Sequence, residues 1–172
     1  MAFLGLKVPH EIGRLLSSLD LPGEVEPSSS YHVTLFYLGE NVPLETLAKA
    51  IPVICNVTLK TPPFTVETNE VTHFPAKPTG EIPIIARISS FPLMQLRQEL
   101  KEAFEAQGIE YSKPFPKYQP HVTLTYLKDT PVPEPKSIHT VEWGVGEIVL
   151  WGGDSADDRL IVTFPFALTL DT

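Results

Sequence analysis

The sequence predicts an α+β fold built from two β-α-β units of similar design. Three observations carry that expectation. The segments Tyr31–Glu40 (YHVTLFYLGE) and Pro120–Asp129 (PHVTLTYLKD) match at six of ten positions. Each copy follows a short apolar run and then a helical pattern. A length of 172 residues, 42% of them apolar, suits one domain or two small lobes and is ample for a sizeable core.

Taken in order, Phe3–Val8 reads as a short strand. Pro9 suits a first helical position, with Ile12, Leu15, Leu16 and Leu19 at helical spacing behind it. Pro22-Gly23 and Pro27–Ser30 mark a loop, and Tyr31–Leu38 is rich in β-branched and aromatic residues and reads as a strand. Leu44–Val57 is a helix with an apolar stripe of Leu44, Leu47, Ala48, Ile51 and Ile54; Pro52 inside it predicts a kink or an early end. Strands at Phe64–Phe74 and Ile82–Ile88 flank a turn-like segment, Pro75–Gly80. A helix at Pro92–Gln107 buries Leu93, Leu96, Leu100, Ala103 and Phe104 and stops at Gly108. A basic-aromatic loop, Lys113–Pro120, leads into a strand at His121–Leu127. Pro131, Pro133 and Pro135 stiffen the next connector. Two last strands, Ser137–Trp151 (interrupted near Gly144–Gly146) and Leu160–Leu168, flank the loop Gly152–Asp158.

Composition narrows the function. One Cys excludes a disulfide framework and a multi-Cys zinc site within one chain. Ten Gly and 18 Pro stay below the share that marks a disordered chain. No apolar run reaches the roughly 18 residues of a membrane span, and the N-terminus lacks a charged region before its short apolar stretch, so a cytoplasmic protein is expected. A net charge of −8, with a pI near 5.1, argues against a long electrostatic grip on nucleic acid. A small anionic substrate held by a few local groups remains compatible with it.

Strand alternation places His32 and Thr34 on one face, against Val33, Leu35 and Tyr37 on the other. The same alternation separates His121 and Thr123 from Val122, Leu124 and Tyr126. Two such faces across a groove bring together two imidazoles and two hydroxyls. Histidine titrates near neutrality, so one imidazole can act as base while the other, protonated, acts as acid. In-line attack on phosphorus needs such a pair, and threonine hydroxyls can donate to the non-bridging oxygens where charge develops. This arrangement requires neither a metal nor another cofactor. A second full HVTL arises by accident with a chance on the order of 0.3% for this composition.

His32-Val33-Thr34-Leu35 and His121-Val122-Thr123-Leu124 resemble the paired H-x-T-[apolar] motifs of the two-histidine (2H) phosphoesterase superfamily, which includes 2′-5′ RNA ligase-like and cyclic nucleotide phosphodiesterase proteins. The resemblance covers nearly the whole chain. It implies a single bilobal domain over residues 1–172, with two pseudo-symmetric β-α-β lobes, mostly antiparallel sheets and an active-site groove between the lobes. It further implies metal-independent phosphodiester chemistry, with His32 and His121 as the acid/base pair and Thr34 and Thr123 as phosphate-binding hydroxyls. Which histidine is the base stays open.

Members of that superfamily act on 2′,3′-cyclic phosphates, ADP-ribose 1″,2″-cyclic phosphate, 2′-5′ oligoadenylates or cyclic oligonucleotide signals, the last including viral proteins that blunt host defence. For a viral chain the expected location would be the host cytoplasm. The acidic balance favours a small nucleotide, a cyclic nucleotide or a short oligonucleotide over long nucleic acid. The expected activity is hydrolysis, with a nucleotide-sequestering module and an RNA-end 2′-5′ ligase as alternatives.

Around the motifs, Lys117 and Tyr118, with Tyr111 and Phe115, could close over the groove and offer charge for phosphate and a ring for a base; alternatively Phe115 and Tyr118 anchor the loop on the core. Tyr31 and Phe36 flank the first motif, and Phe36 shares the His32 face, so it lines the pocket or belongs to the core. Trp151 could stack on a base or be buried at a strand end. Lys113, Lys117 and Arg87 could form a basic rim. His10, His73 and His139 match no catalytic pattern. Cys55 is expected to be a buried, inert thiol. The acidic segment Asp154–Asp158 lacks calcium-loop spacing, and His32 with His121 lacks further ligands for a metal site.

Overall fold

β1 (Ala2–Lys7) alternates inward apolar residues with Phe3, Gly5 and Lys7 on the opposite face, and α1 (His10–Ser17) follows directly. This computed structural model describes residues 1–113, 116–152 and 159–168. The chain continues through β2 (Glu24–Val25), β3 (His32–Gly39), α2 (Leu44–Thr58), β4 (Phe64–His73), β5 (Ile82–Ser89) and α3 (Phe91–Ala106). It ends with β6 (His121–Leu127), β7 (Lys136–Val145), β8 (Glu147–Gly152) and β9 (Arg159–Pro165). The expected elements are all present, and the two-residue β2 is an addition.

The strands form two sheets of order β3-β1-β8-β9 and β2-β6-β5-β4-β7. Every pairing is antiparallel. Each expected unit is therefore a strand, a helix and an antiparallel neighbour: β1-α1-β3 in one sheet and β5-α3-β6 in the other. The sheets do not follow the halves of the sequence. β2 leaves the first half to pair with β6, while β8 and β9 return from the C-terminal end to β1.

Helix α3 starts where Ser90 accepts a bond from the Leu93 amide and buries Leu93, Leu96, Leu100 and Phe104 against the core. The α2 stripe is displaced from the expected one. Ala50, Ile54 and Thr58 are buried, whereas Leu44 is 81% exposed and Ala48 is exposed. The helix also runs on through Pro52, which sits on its outer side, where water can solvate the carbonyl that loses its N–H partner. In α1, Leu16 is buried and Leu15 points outward. Cys55 is half-buried rather than enclosed.

One irregularity positions the site. Between Leu4 and Gly5 the β1–β3 register slips, pairing Leu4 with Phe36 and Gly5 with Thr34. Between Ile84 and Ile85 the β5–β6 register slips in the same way, pairing Ile84 with Thr125 and Ile85 with Thr123. Leu35 and Leu124 are thus the extra residues of two matching β-bulges. Beyond each bulge the alternation inverts, so strict period-2 reading fails there. Phe36 and Thr125 turn inward, each 1% exposed, and Tyr37 and Tyr126 come round to the histidine side.

Candidate active site

The two motif strands approach one another, β3 from the edge of its sheet and β6 from within the other. Between them lies a cavity of about 820 Å³ whose walls include His32, Thr34, His121 and Thr123. Both histidines are held alike. His32 Nδ1 lies 2.8 Å from the carbonyl oxygen of Ser30, and His121 Nδ1 lies 2.9 Å from that of Gln119. A carbonyl only accepts, so each Nδ1 carries the hydrogen and each Nε2 is the atom left for chemistry. Neither threonine hydroxyl is hydrogen-bonded to a described residue, which leaves both for a ligand.

The aromatic surroundings of the two rings differ. His32 contacts Phe3 at 5.0 Å and Trp151 at 5.9 Å between ring centroids, and Phe3 and Trp151 stack at 4.8 Å. His121 meets the edge of Phe74 at 4.5 Å. Burial holds the His121 pKa below its ordinary value. The Gln119 carbonyl bond opposes this, and the charge of His32 adds to the lowering.

Of the flanking residues, Trp151 is half-buried on the cavity wall beside His32. Tyr31 reaches the same wall but is only 4% exposed, and burial, with Glu26 beside it, raises its pKa. Phe36 does not share the His32 face, because the Leu35 bulge turns it into the core against Phe104 and Tyr111. Lys117 and Tyr118 line an adjoining cavity that shares Thr34, Tyr37 and His121 with the first. Arg87 pairs with Glu70 at 3.5 Å. His10 and His139 are exposed and His73 bonds the Phe74 carbonyl. Phe115 and Asp154–Asp158 lie outside the described residues. Among the described residues no group of three or more His, Cys, Asp or Glu side chains is arranged to hold a metal ion, and no helix is long and apolar enough to cross a membrane.

Sequence reasoning missed two cations and two tyrosines. Lys7 pairs with His32 across the β1–β3 ladder and lines the cavity. Lys77, in the β4–β5 turn, donates to the Tyr126 hydroxyl at 3.4 Å with its ammonium 4.5 Å from the ring centroid. Alternation along β1 could have revealed Lys7. Lys77 is distant in sequence and had no local signal. Tyr37 and Tyr126 were visible as part of the repeat, and only the bulges place them at the cavity.

The profile of the 2′-5′ RNA ligase superfamily matches residues 23–157, which contain both motifs. The chain belongs to this superfamily, that of the 2H phosphoesterases. Comparison with curated protein sequences gives no match. Among solved structures the fold resembles TT0787 of Thermus thermophilus, with a TM-score of 0.77, 19% identity and coverage of 96% of this chain and 97% of that one. Apo LigT of E. coli gives a TM-score of 0.71 at 18% identity, covering 97% of each chain. LigT complexed with 3′-AMP gives 0.72 at 15%, covering 97% of this chain and 98% of that one.

Proposed function

We propose that the chain is a metal-independent phosphodiesterase acting on a cyclic or 2′-linked phosphodiester in a small nucleotide or short oligonucleotide. The observation that carries the reading is the matched pair of imidazoles, each fixed through Nδ1 and each with Nε2 left for chemistry on one cavity. His121, held toward its neutral form, is the base. Its Nε2 takes the proton of the attacking water as the new P–O bond forms. His32, protonated at Nε2, gives its proton to the oxygen that leaves as the old P–O bond breaks. Thr34 and Thr123 donate to the non-bridging oxygens, and Lys7 and Lys77 add positive charge at the rim. Trp151 offers a face for the base. LigT has been captured with 3′-AMP, NADP+ and ATP, ligands of the size proposed here.

The test is a screen of 2′,3′-cyclic mononucleotides, 2′-5′ oligoadenylate, ADP-ribose 1″,2″-cyclic phosphate and cyclic di- and trinucleotides, with and without EDTA, read by mass spectrometry. Activity should survive EDTA and fall at least several hundredfold in His32→Ala and in His121→Ala. Full activity in both variants would sink the reading. A ligand returned unchanged would indicate sequestration, and ATP-independent joining of 2′,3′-cyclic and 5′-hydroxyl ends would indicate ligation.

A further inference from the structure

The adjoining cavity, of about 790 Å³, gathers positive charge in a chain of net charge −8. Arg97 and Lys101 reach it from α3, and Lys113 and Lys117 from the loop before β6. None of the four lies within the 4.0 Å ion-pairing distance of a described carboxylate. The one acidic residue on the wall, Glu105, accepts a 3.0 Å bond from the Tyr111 hydroxyl.

Arg97 is the organised member of this group. Its guanidinium carbon lies 4.1 Å from the Phe36 ring centroid and 4.7 Å from that of Tyr118, while Nε donates to the Leu35 carbonyl at 3.3 Å. The fork is therefore held by its face and by one donor, and its Nη groups have no acceptor among the described residues. A surface arginine that only braced the fold would be free to point its remaining donors at water. This one is half-buried, and it lines a cavity that opens onto Thr34 and His121.

We propose that this second cavity is a phosphate subsite, formed by Arg97, Lys101 and Lys113, for the nucleotide next to the reacting phosphodiester. The inference rests on the phosphodiesterase reading and narrows its substrate class. The preferred ligand carries at least two phosphates, one at the histidine pair and one at Arg97, and so is an oligonucleotide rather than a mononucleotide cyclic phosphate. The two cavities share Thr34, Tyr37 and His121, so one continuous ligand can occupy both.

The experiment compares ApA bearing a 2′,3′-cyclic phosphate with 2′,3′-cyclic AMP, by kcat/KM, in the wild type and in a Lys101→Ala/Lys113→Ala double variant. Lys113 is exposed and Lys101 only partly buried, so the fold should tolerate the change. The wild type should prefer the dinucleotide by roughly tenfold or more, and the double variant should lose most of that ratio, with a shallower dependence on salt. Arg97→Gln, checked for folding by circular dichroism, should lose it further. Equal kcat/KM for both substrates in the wild type, or a ratio untouched by the double variant, overturns the subsite. Binding of fluorescent pApA to His121→Ala protein separates the two readings. Weaker binding on adding the lysine substitutions supports the subsite even where no substrate is turned over, an outcome that would sink only the phosphodiesterase reading.

Discussion

The Tyr118 hydroxyl donates a 2.8 Å hydrogen bond to the backbone carbonyl of Thr34. A residue three positions before one motif thus holds the strand that carries the other. Two more bonds reinforce the join, from the Ser112 amide to the Tyr37 carbonyl at 2.8 Å and from Arg97 to the Leu35 carbonyl. β3 is an edge strand, and these bonds cap carbonyls that would otherwise stand open. Burial raises the Tyr118 pKa against the opposing charge of Arg97, so the hydroxyl stays protonated and able to donate at any ordinary pH.

Tyr118→Phe removes that donor and leaves the ring in place. It should cost about 1 kcal/mol, lowering Tm by roughly 2–4 °C in a chain of this size. Activity should drop with it, because Thr34 is the residue whose backbone is released. Thermal unfolding by circular dichroism, with kcat/KM on the best substrate of the screen, checks both. An unchanged Tm would mean the bond adds nothing to the join.

The lowered pKa of His121 has a defined sign for pH. The native state disfavours the proton that the unfolded chain would accept below about 6.5. Stability from this group is therefore complete above that value and is lost as pH falls through the native pKa. An NMR titration of the His121 ring should give a midpoint below 6.5, matching the acidic limb of the kcat/KM profile. A midpoint above the ordinary value would remove the case for His121 as base.

Gly5 sits opposite the first bulge, where a Cβ would collide with the Val33 carbonyl oxygen and lie 3.3 Å from the Trp151 ring. The carbonyl belongs to a paired strand and cannot move away freely. Gly5→Ala should destabilise by about 1–3 kcal/mol and alter the near-ultraviolet circular dichroism of Trp151. Wild-type stability and spectrum in this variant would show that the bulge has room to spare.

Trp151→Ala removes the ring that stands beside Phe3 and His32. Stacking of a base on an aromatic side chain contributes about 1–3 kcal/mol, so AMP binding, measured by calorimetry, should weaken roughly tenfold or more. Trp151→Phe should recover most of it. Equal binding by all three proteins would leave Trp151 as part of the wall only.

Much of the site was legible because it is repeated. His32, Thr34, His121 and Thr123 each fall where simple strand alternation puts them, and α3 announces itself by its leucine spacing and Gly108. The bulges were not legible. Leu35 and Phe36 are both apolar, and Leu124 and Thr125 both suit a strand interior, so nothing local marks the residue at which the alternation inverts. That is why the sequence leaves Phe36 open between pocket and core and puts Tyr37 on the core face, whereas the structure buries Phe36 and brings Tyr37 to the cavity. Lys77 and Arg97 reach their cavities only through tertiary packing, and a two-residue strand such as β2 is too short for periodicity to register.

The exchange of strands between the sheets also bears on how the chain acquires its structure. β1 precedes both of its partner strands in the sequence, and its two edges find those partners at different times. One edge meets β3 within the first forty residues, whereas the other, from Ala2 to Gly5, waits for Gly152 to Val149. The first motif strand is thus made long before its sheet can be completed. Pairings of such sequence separation slow folding and leave apolar strand edges open in the interim. A nascent chain halted before β8 would carry His32 on an unfinished sheet, and the strand that presents it would gain its full sheet only with β8 and β9.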